Sequence, residues 1–448
     1  MEAFITRKKR KREADAEKLG EDDEPTELKL ALLSSLHPAL DQDALLDILL
    51  AHDGSVSAAS ASLKPQGSLK KARGVVGSQT SLKLFSSAPS SDGQPSSPTK
   101  ARLLSKKGTT LHLYDPVDVA EHTPCTVIHN FLPPDEADSL LTELLEESET
   151  FEKITFKLFD NVVSSPHTSC LYVGSTAELN RQKYEYVYNG ARLTDVRKLT
   201  PHLDGVKARV EEAVNLEVQE RIKSRYPGGR KLKHQSSNRW TPNAAFVNCY
   251  AGPQESVGWH SDQLTYLGPR PVIGSLSLGV AREFRVRRIV PRDADTGGGG
   301  GSGSGSGSGS TRPPADDPDA EGQIAVHLPH NSLLVMHAEM QEEWKHCIAP
   351  AQVIDPHPLA GSKRINVTYR DYRAEFHPSR TPMCPCGVPA VLRVVQRKRE
   401  SWGRYFWMCH AGNVPGKDGC TFFQWAEFDD EGIPIRSTPS SKPVSGQR

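Results

Sequence analysis

Residues 257–264 read VGWHSDQL. His260 and Asp262 stand one residue apart, and on extended backbone that spacing puts both side chains on one face, where they can converge on an ion. A third ligand must come from elsewhere. Two histidines follow strand-like runs, His337 in LLVMHAEMQEEW and His346 in EWKHCIAP, and His346 is favoured. Two histidines and one carboxylate hold non-haem Fe(II) on one side and leave three positions open, enough for a bidentate keto acid and oxygen. Later, RINVTYR places Arg364, Asn366, Thr368 and Arg370 on one face and Ile365, Val367 and Tyr369 on the other. A polar face with an arginine at each end requires an anion if it points into a barrel; a bidentate carboxylate would supply it. Upstream, Asn248 and Tyr250 share another strand face.

A second constellation lies near the carboxy end. Of the eight cysteines, Cys384, Cys386, Cys409 and Cys420 cluster there, with WGRYFWMC between the pairs. In a reducing compartment such a cluster argues for metal rather than disulfides, and four thiolates are a structural Zn2+ set. Around them Arg393, Arg397, Lys398, Arg399 and Arg404 interleave with Trp402, Tyr405, Phe406 and Trp407. Cations that track phosphates and rings that stack on bases suit single-stranded nucleic acid. Phe422 and Trp425 are expected instead to form a small core around the zinc.

The elements that position these groups are mostly short strands. PPDEADSLLTELLEESE predicts a helix from near Asp135, with a stripe of Leu140, Leu141, Leu144 and Leu145; KYEYVY (183–188) alternates like a strand. AAFVNCY, GSLSLGVAREFRV, QIAVHL, SLLVMH and RINVTYR follow as strands separated by turns. Many short strands after a helical start predict a sandwich or barrel with flanking helices. Lys+Arg and Asp+Glu balance at 55 each, and no apolar run approaches the roughly 20 residues of a membrane span. The amino terminus does not read as a secretory signal, so an intracellular chain is expected. RKKRKR at 7–12 predicts nuclear import.

The expected domains are a basic and acidic tail (1–25), a three-helix bundle (26–64), a Ser/Pro/Gly/Lys-rich linker (65–108), a globular domain (109–376), a zinc finger (380–430) and a tail (431–448). The Gly/Ser-rich segment 293–322 interrupts the globular domain as a surface insertion. The connection AEFHPSRTPM (374–383) is short and carries two prolines, so the finger is expected to work as a tethered grip, separate from the chemistry.

NAAFVNCYAG, VGWHSD, IGSLSLG, REF, WKHCI and RINVTYR, in that order, resemble the AlkB-type 2-oxoglutarate- and Fe(II)-dependent dioxygenases over roughly 125–373. The resemblance implies a mainly β fold: a double-stranded β-helix (jelly-roll) core with flanking helices. It implies iron ligation by His260, Asp262 and His346, and a 2-oxoglutarate site in which Arg364 and Tyr250 hold the distal carboxylate. Arg370 and Asn366, with Asn248 beside them, would bind its metal-proximal end. It implies O2-dependent dealkylation of nucleic-acid bases, with Tyr186 or Tyr188 stacking on an extruded base. DNA-repair members usually carry an acid two residues past the metal aspartate, near the base; Leu264 stands there, and Tyr266 is the alternative stacking residue. An RNA demethylase, a protein hydroxylase and a non-catalytic adaptor are the rival readings. Residues 383–428, ending in FFQWAEF, resemble the GRF-type zinc finger, which implies a grip on single-stranded DNA through residues such as Trp402, Arg404 and Phe406. LKLALLSSLHPALDQDALLDILLAHDGSVSAASASL (28–63) resembles CUE/UBA domains, which implies a ubiquitin partner. Phe4, Ile5, Thr6 and Arg7 partly resemble a sliding-clamp motif.

Overall fold

The computed structural model describes residues 105, 108–158, 161–185, 187–188, 191–192, 195–291, 321–413 and 417–435. The basic tail, the CUE-like bundle and most of the linker, nearly all of the Gly/Ser insertion, Tyr186 and residues 436–448 lie outside the described residues.

From its start the described chain forms β1 (Thr110–Leu113), α1 (Pro116–His122), β2 (Cys125–His129) and α2 (Pro134–Ser148). The Asp115 side chain caps α1 by accepting from the Val117 amide at 2.8 Å, and Pro116 opens its first turn. Next come β3 (Thr155–Leu158), β4 (Asn161–Ser164), β5 (Thr168–Val173), α3 (Thr176–Glu185), β6 (Val187–Tyr188), β7 (Ala191–Arg192), β8 (Val196–Lys198) and α4 (Pro201–Arg225). The barrel continues through β9 (Ala244–Ala251), β10 (Val257–His260), β11 (Ile273–Gly279), β12 (Arg282–Arg288), β13 (Gln323–Leu328), β14 (Ser332–Met336), α5 (Met340–Glu343), β15 (Trp344–Ile348) and β16 (Lys363–Arg370). The chain ends in β17 (Val391–Val394), β18 (Tyr405–Met408) and β19 (Phe423–Ala426).

Two sheets make the jelly roll. One orders β2-β14-β11-β16-β9-β5-β8, the other β1-β13-β12-β15-β10. The expected helix at Asp135 is α2, and its Leu140, Leu141 and Leu144 are buried. With Leu203, Val206, Val210 and Val214 of α4 they pack on the outer face of the larger sheet, against Ile365, Val367 and Tyr369. That leaves the opposite face of β16, with both arginines, turned inward.

One expected element differs. KYEYVY is not a continuous strand: α3 runs through Glu185, and only Val187–Tyr188 is extended. The helix formers of TAELNRQK carry the turn across the first tyrosine, so the period-two pattern there was misleading.

The three finger strands form a separate sheet, β17-β18-β19. It is docked on the barrel, not merely tethered to it. Leu392, Tyr405 and Trp407 bury one face against Leu264 and Phe376, with Ala390 and Phe428 in the same cluster. Phe376 lies within the short connection itself and is fully buried.

Candidate active site

β10 and β15 bring the first two ligands together. They pair antiparallel with a bulge after Val257, which sets His260 directly opposite His346. Asp262 lies just past the strand end, and its amide donates to Gln341 Oε1 at 2.7 Å. Its Oδ1 stands 3.6 Å from His260 Nε2 and 3.5 Å from His346 Nε2. Its Oδ2 takes Arg370 Nη2 at 2.6 Å and Nε at 3.1 Å. One carboxylate oxygen and two imidazole nitrogens, mutually within 4.8 Å, thus face a common point, the donor set a divalent metal needs. Burial alone would raise the Asp262 carboxyl, but Arg370 and the two histidines outweigh it and hold it far below the usual carboxylate range. Packing against its surroundings, and the nearby His346, push His260 below the ordinary histidine value, so it stays neutral and able to ligate. His260 Nδ1 lies 2.8 Å from the Gly258 carbonyl, an orientation that presents Nε2 to the site. His337, the other candidate third ligand, is elsewhere: it is buried with Nε2 3.1 Å from Thr126 Oγ1.

The inner face of the larger sheet forms the adjoining pocket. Tyr250 and Arg364 are cross-strand partners, followed by Asn248 with Asn366 and Ala244 with Arg370. Arg364 is 1% exposed. Its Nη2 donates to Ser277 Oγ and Asn366 Oδ1, both at 2.8 Å, and its Nε and Nη1 have no hydrogen-bond partner among the described residues. Asn366 in turn accepts from Ser275 Oγ at 3.0 Å and donates to Thr368 Oγ1 at 2.8 Å. Burial pushes the Arg364 guanidinium down to about 10. A buried guanidinium with two idle donors calls for an oxyanion, and the Tyr250 ring lies 5.3 Å away.

The family model of the 2OG-Fe(II) oxygenase superfamily matches residues 124–370, a span that contains both the triad and the arginine face. The chain belongs to this superfamily. Membership implies Fe(II), 2-oxoglutarate and O2. Among curated relatives it is similar to human "Alpha-ketoglutarate-dependent dioxygenase alkB homolog 3", at 28% identity over 147 residues, 32% of this chain and 42% of that protein. It is also similar to "DNA oxidative demethylase ALKBH2" of Arabidopsis thaliana, at 30% over 130 residues, 29% of this chain and 37% of the relative. The match thus spans about two fifths of these relatives' length. A solved structure, "The structure of OsALKBH1", aligns at 14% identity with a TM-score of 0.34, covering 55% of this chain and 96% of its own. Residues 382–429 match the GRF zinc finger model.

Within the oxygenase domain three supporting residues carry no motif and escape a sequence reading. Gln341, buried behind Asp262, holds its amide. His167 stacks on Tyr250 at 4.7 Å. Arg282 gathers the carbonyls of Gly252, Pro253, Glu255 and Ala349, with its guanidinium 6.0 Å from the Tyr250 ring. A charged residue within the apolar alternation of REFRV was the one available signal.

In the finger, the Sγ atoms of Cys384, Cys386, Cys409 and Cys420 lie within 4.8 Å of one another, as a tetrahedral zinc site requires. Cys409 Sγ accepts from the Ala411 and Cys420 amides at 3.3 and 3.4 Å.

The expected nucleic-acid contacts divide. Tyr266 is corrected: it is 4% exposed, packed with Leu171, Val173, Val196, Ala244 and Phe246, and cannot reach a base. Trp402 and Arg404 are exposed and Phe406 is half-buried. Trp425 is not part of a zinc core either. Strand register puts Phe406 opposite Trp425 and Met408 opposite Phe423, and these side chains form the outward face. Phe406 stacks on Phe423 at 5.1 Å, and the Arg404 guanidinium lies 3.8 Å over Trp425. Phe422 does pack beside Cys384, Cys409 and Ala411. Tyr188 belongs to β6, and its side chain is not described.

Proposed function

We propose that the chain oxidatively dealkylates alkylated nucleic-acid bases, with His260, Asp262 and His346 as iron ligands. The observation that carries this is Arg364, a buried guanidinium with two idle donors on the same inward face as Arg370, which anchors Asp262. Arg364 and Tyr250 receive the distal carboxylate of 2-oxoglutarate, and Asn248, Asn366 and Arg370 line its metal-proximal end. Fe(II), when bound with 2-oxoglutarate and O2, supplies the oxidation of an N-linked alkyl carbon to a hydroxyalkyl group, whose collapse releases an aldehyde. Arg370 fixes the orientation of Asp262, and His260, whose side chain is 34% exposed, lies on the open side from which substrate arrives.

The finger's free face, with Trp402, Arg404, Phe406, Phe423 and Trp425, is an exposed aromatic surface carrying a cation. Such a surface suits stacking by single-stranded DNA. The name of one relative, "DNA oxidative demethylase ALKBH2", supports a DNA substrate at 30% identity. Action on methylated RNA or on a protein side chain is the second reading, favoured because Leu264 brings no acid to the site. A nuclear location, a ubiquitin partner and a sliding-clamp partner rest on residues 1–64 alone. The test is a mass-spectrometric survey of methylated DNA, RNA and peptide with Fe(II) and 2-oxoglutarate. Succinate formation coupled to loss of a base alkyl group supports the proposal; coupled turnover of peptide alone rejects it.

A further inference from the structure

Leu264 is buried at the centre of the finger–barrel contact, 3% exposed and packed with Leu392, Tyr405 and Trp407 of the finger. It sits two residues from Asp262, so the finger lies directly on the loop that carries Asp262 and follows His260 at the end of β10. Polar contacts repeat the arrangement. Gln396 Nε2, two residues past β17, donates to the Gln341 carbonyl at 3.1 Å and lies 3.4 Å from Ser261 Oγ and from the Glu342 carbonyl. Gln341 is the residue whose side chain holds the Asp262 amide. Tyr405 donates its hydroxyl to Glu342 Oε1 at 2.7 Å. The same oxygen accepts the Arg270 amide at 2.7 Å, while Arg270 Nη1 stands 3.1 Å from Glu342 Oε2.

The loop between Asp262 and β11 is one that needs holding. Tyr266 and Arg270 are both left-handed, at φ 68° and 53°, conformations that persist only where the surroundings over-determine them. Gly268, at φ 77°, has no room for a side chain: a Cβ there would stand 2.3 Å from the Phe376 ring.

We infer that the zinc finger is a positioning element of the iron centre: its inner face, through Gln396, Tyr405 and the Leu264 contact, holds the 260–270 loop in ligand geometry. This rests on the proposed iron ligation. Gln396 and Tyr405 are positioning residues, since neither touches a ligand atom. The two faces of one small sheet divide the work: Tyr405 and Trp407 face the oxygenase, Phe406 and Met408 face outward.

The experiment uses the full chain, zinc-loaded and iron-free, in wild type and in Gln396→Ala, Tyr405→Phe and, as a remote control, Arg209→Ala. Amide hydrogen exchange is followed over 258–270 and over 363–370, and the Fe(II) requirement of 2-oxoglutarate turnover is titrated separately. Loss of a single hydrogen bond predicts about 3- to 10-fold faster exchange in 258–270, with 363–370 unchanged. The Fe(II) requirement should rise by a similar factor while kcat at saturating iron is kept, and Arg209→Ala should match wild type throughout. Unchanged exchange in 258–270 in both finger variants overturns the inference. So does a rise spread equally over 363–370, which is general destabilisation. If wild type fails to bind Fe(II) while the variants still loosen 258–270, the finger does hold the loop, and the iron assignment is what falls.

Discussion

Replacing Arg364 with alanine removes a buried guanidinium that keeps two of its three nitrogens without a hydrogen-bond partner among the described residues. Ser277 and Asn366 occupy Nη2, while Nε and Nη1 are idle, so a carboxylate would gain two charge-assisted hydrogen bonds. Each contributes about 1.5–3 kcal/mol. Desolvating the carboxylate offsets part of the sum, so the low end, about 3 kcal/mol, is the sounder figure. That corresponds to about a 150-fold rise in the 2-oxoglutarate concentration required. Arg364→Lys keeps the charge but loses the fork, so its requirement should fall between the two. The assay is a 2-oxoglutarate titration of succinate formation, read beside the thermal shift that the co-substrate induces. Without co-substrate the sign reverses. An unpaired buried charge is destabilising, so Arg364→Met should leave the resting melting temperature equal or higher while abolishing the 2-oxoglutarate-induced rise. An unchanged titration in Arg364→Ala would refute the assignment of this pocket.

The other expectations are simpler to state. His260→Ala, Asp262→Ala and His346→Ala should each abolish turnover with the fold retained by circular dichroism, whereas His337→Ala should keep the Fe(II) requirement of wild type; the reverse pattern for the last two would exchange the third ligand. Trp425→Ala should weaken single-stranded DNA binding by about 1–3 kcal/mol without altering 2-oxoglutarate turnover in the absence of DNA, as measured by fluorescence anisotropy beside succinate release. Added salt should weaken binding by the intact protein, log–log linearly, through counterion release; a flat salt dependence would exclude phosphate contact.

The sequence made the inward-facing chemistry legible because it lies on strands. Period-two alternation orders Arg364, Asn366, Thr368 and Arg370 on one face; their pairing with Tyr250 and Asn248 is set by the register of β16 with β9, which no alternation within one strand determines. What escaped depends on packing between segments far apart in the chain. Leu264 read as a missing acid, but its neighbours Leu392, Tyr405 and Trp407 lie more than a hundred residues onward, and no local pattern announces that contact. The finger therefore looked tethered when it is docked. Tyr266 looked available because loops are usually exposed, yet its left-handed backbone turns it into the cluster around Phe246. Trp425 was placed in a core because the fold of so small a sheet, one face bound and one free, cannot be read from aromatic content alone.

We propose that the chain removes alkyl groups from bases. The most direct measurement is product analysis on a single-stranded oligonucleotide carrying one N-methylated base, incubated with Fe(II), O2 and 2-oxoglutarate. Unmethylated base, aldehyde and succinate are expected in equal amounts, with none of the three from Asp262→Ala. Succinate released at the same rate with and without the methylated oligonucleotide, while the methyl group stays on the base, would contradict the proposal.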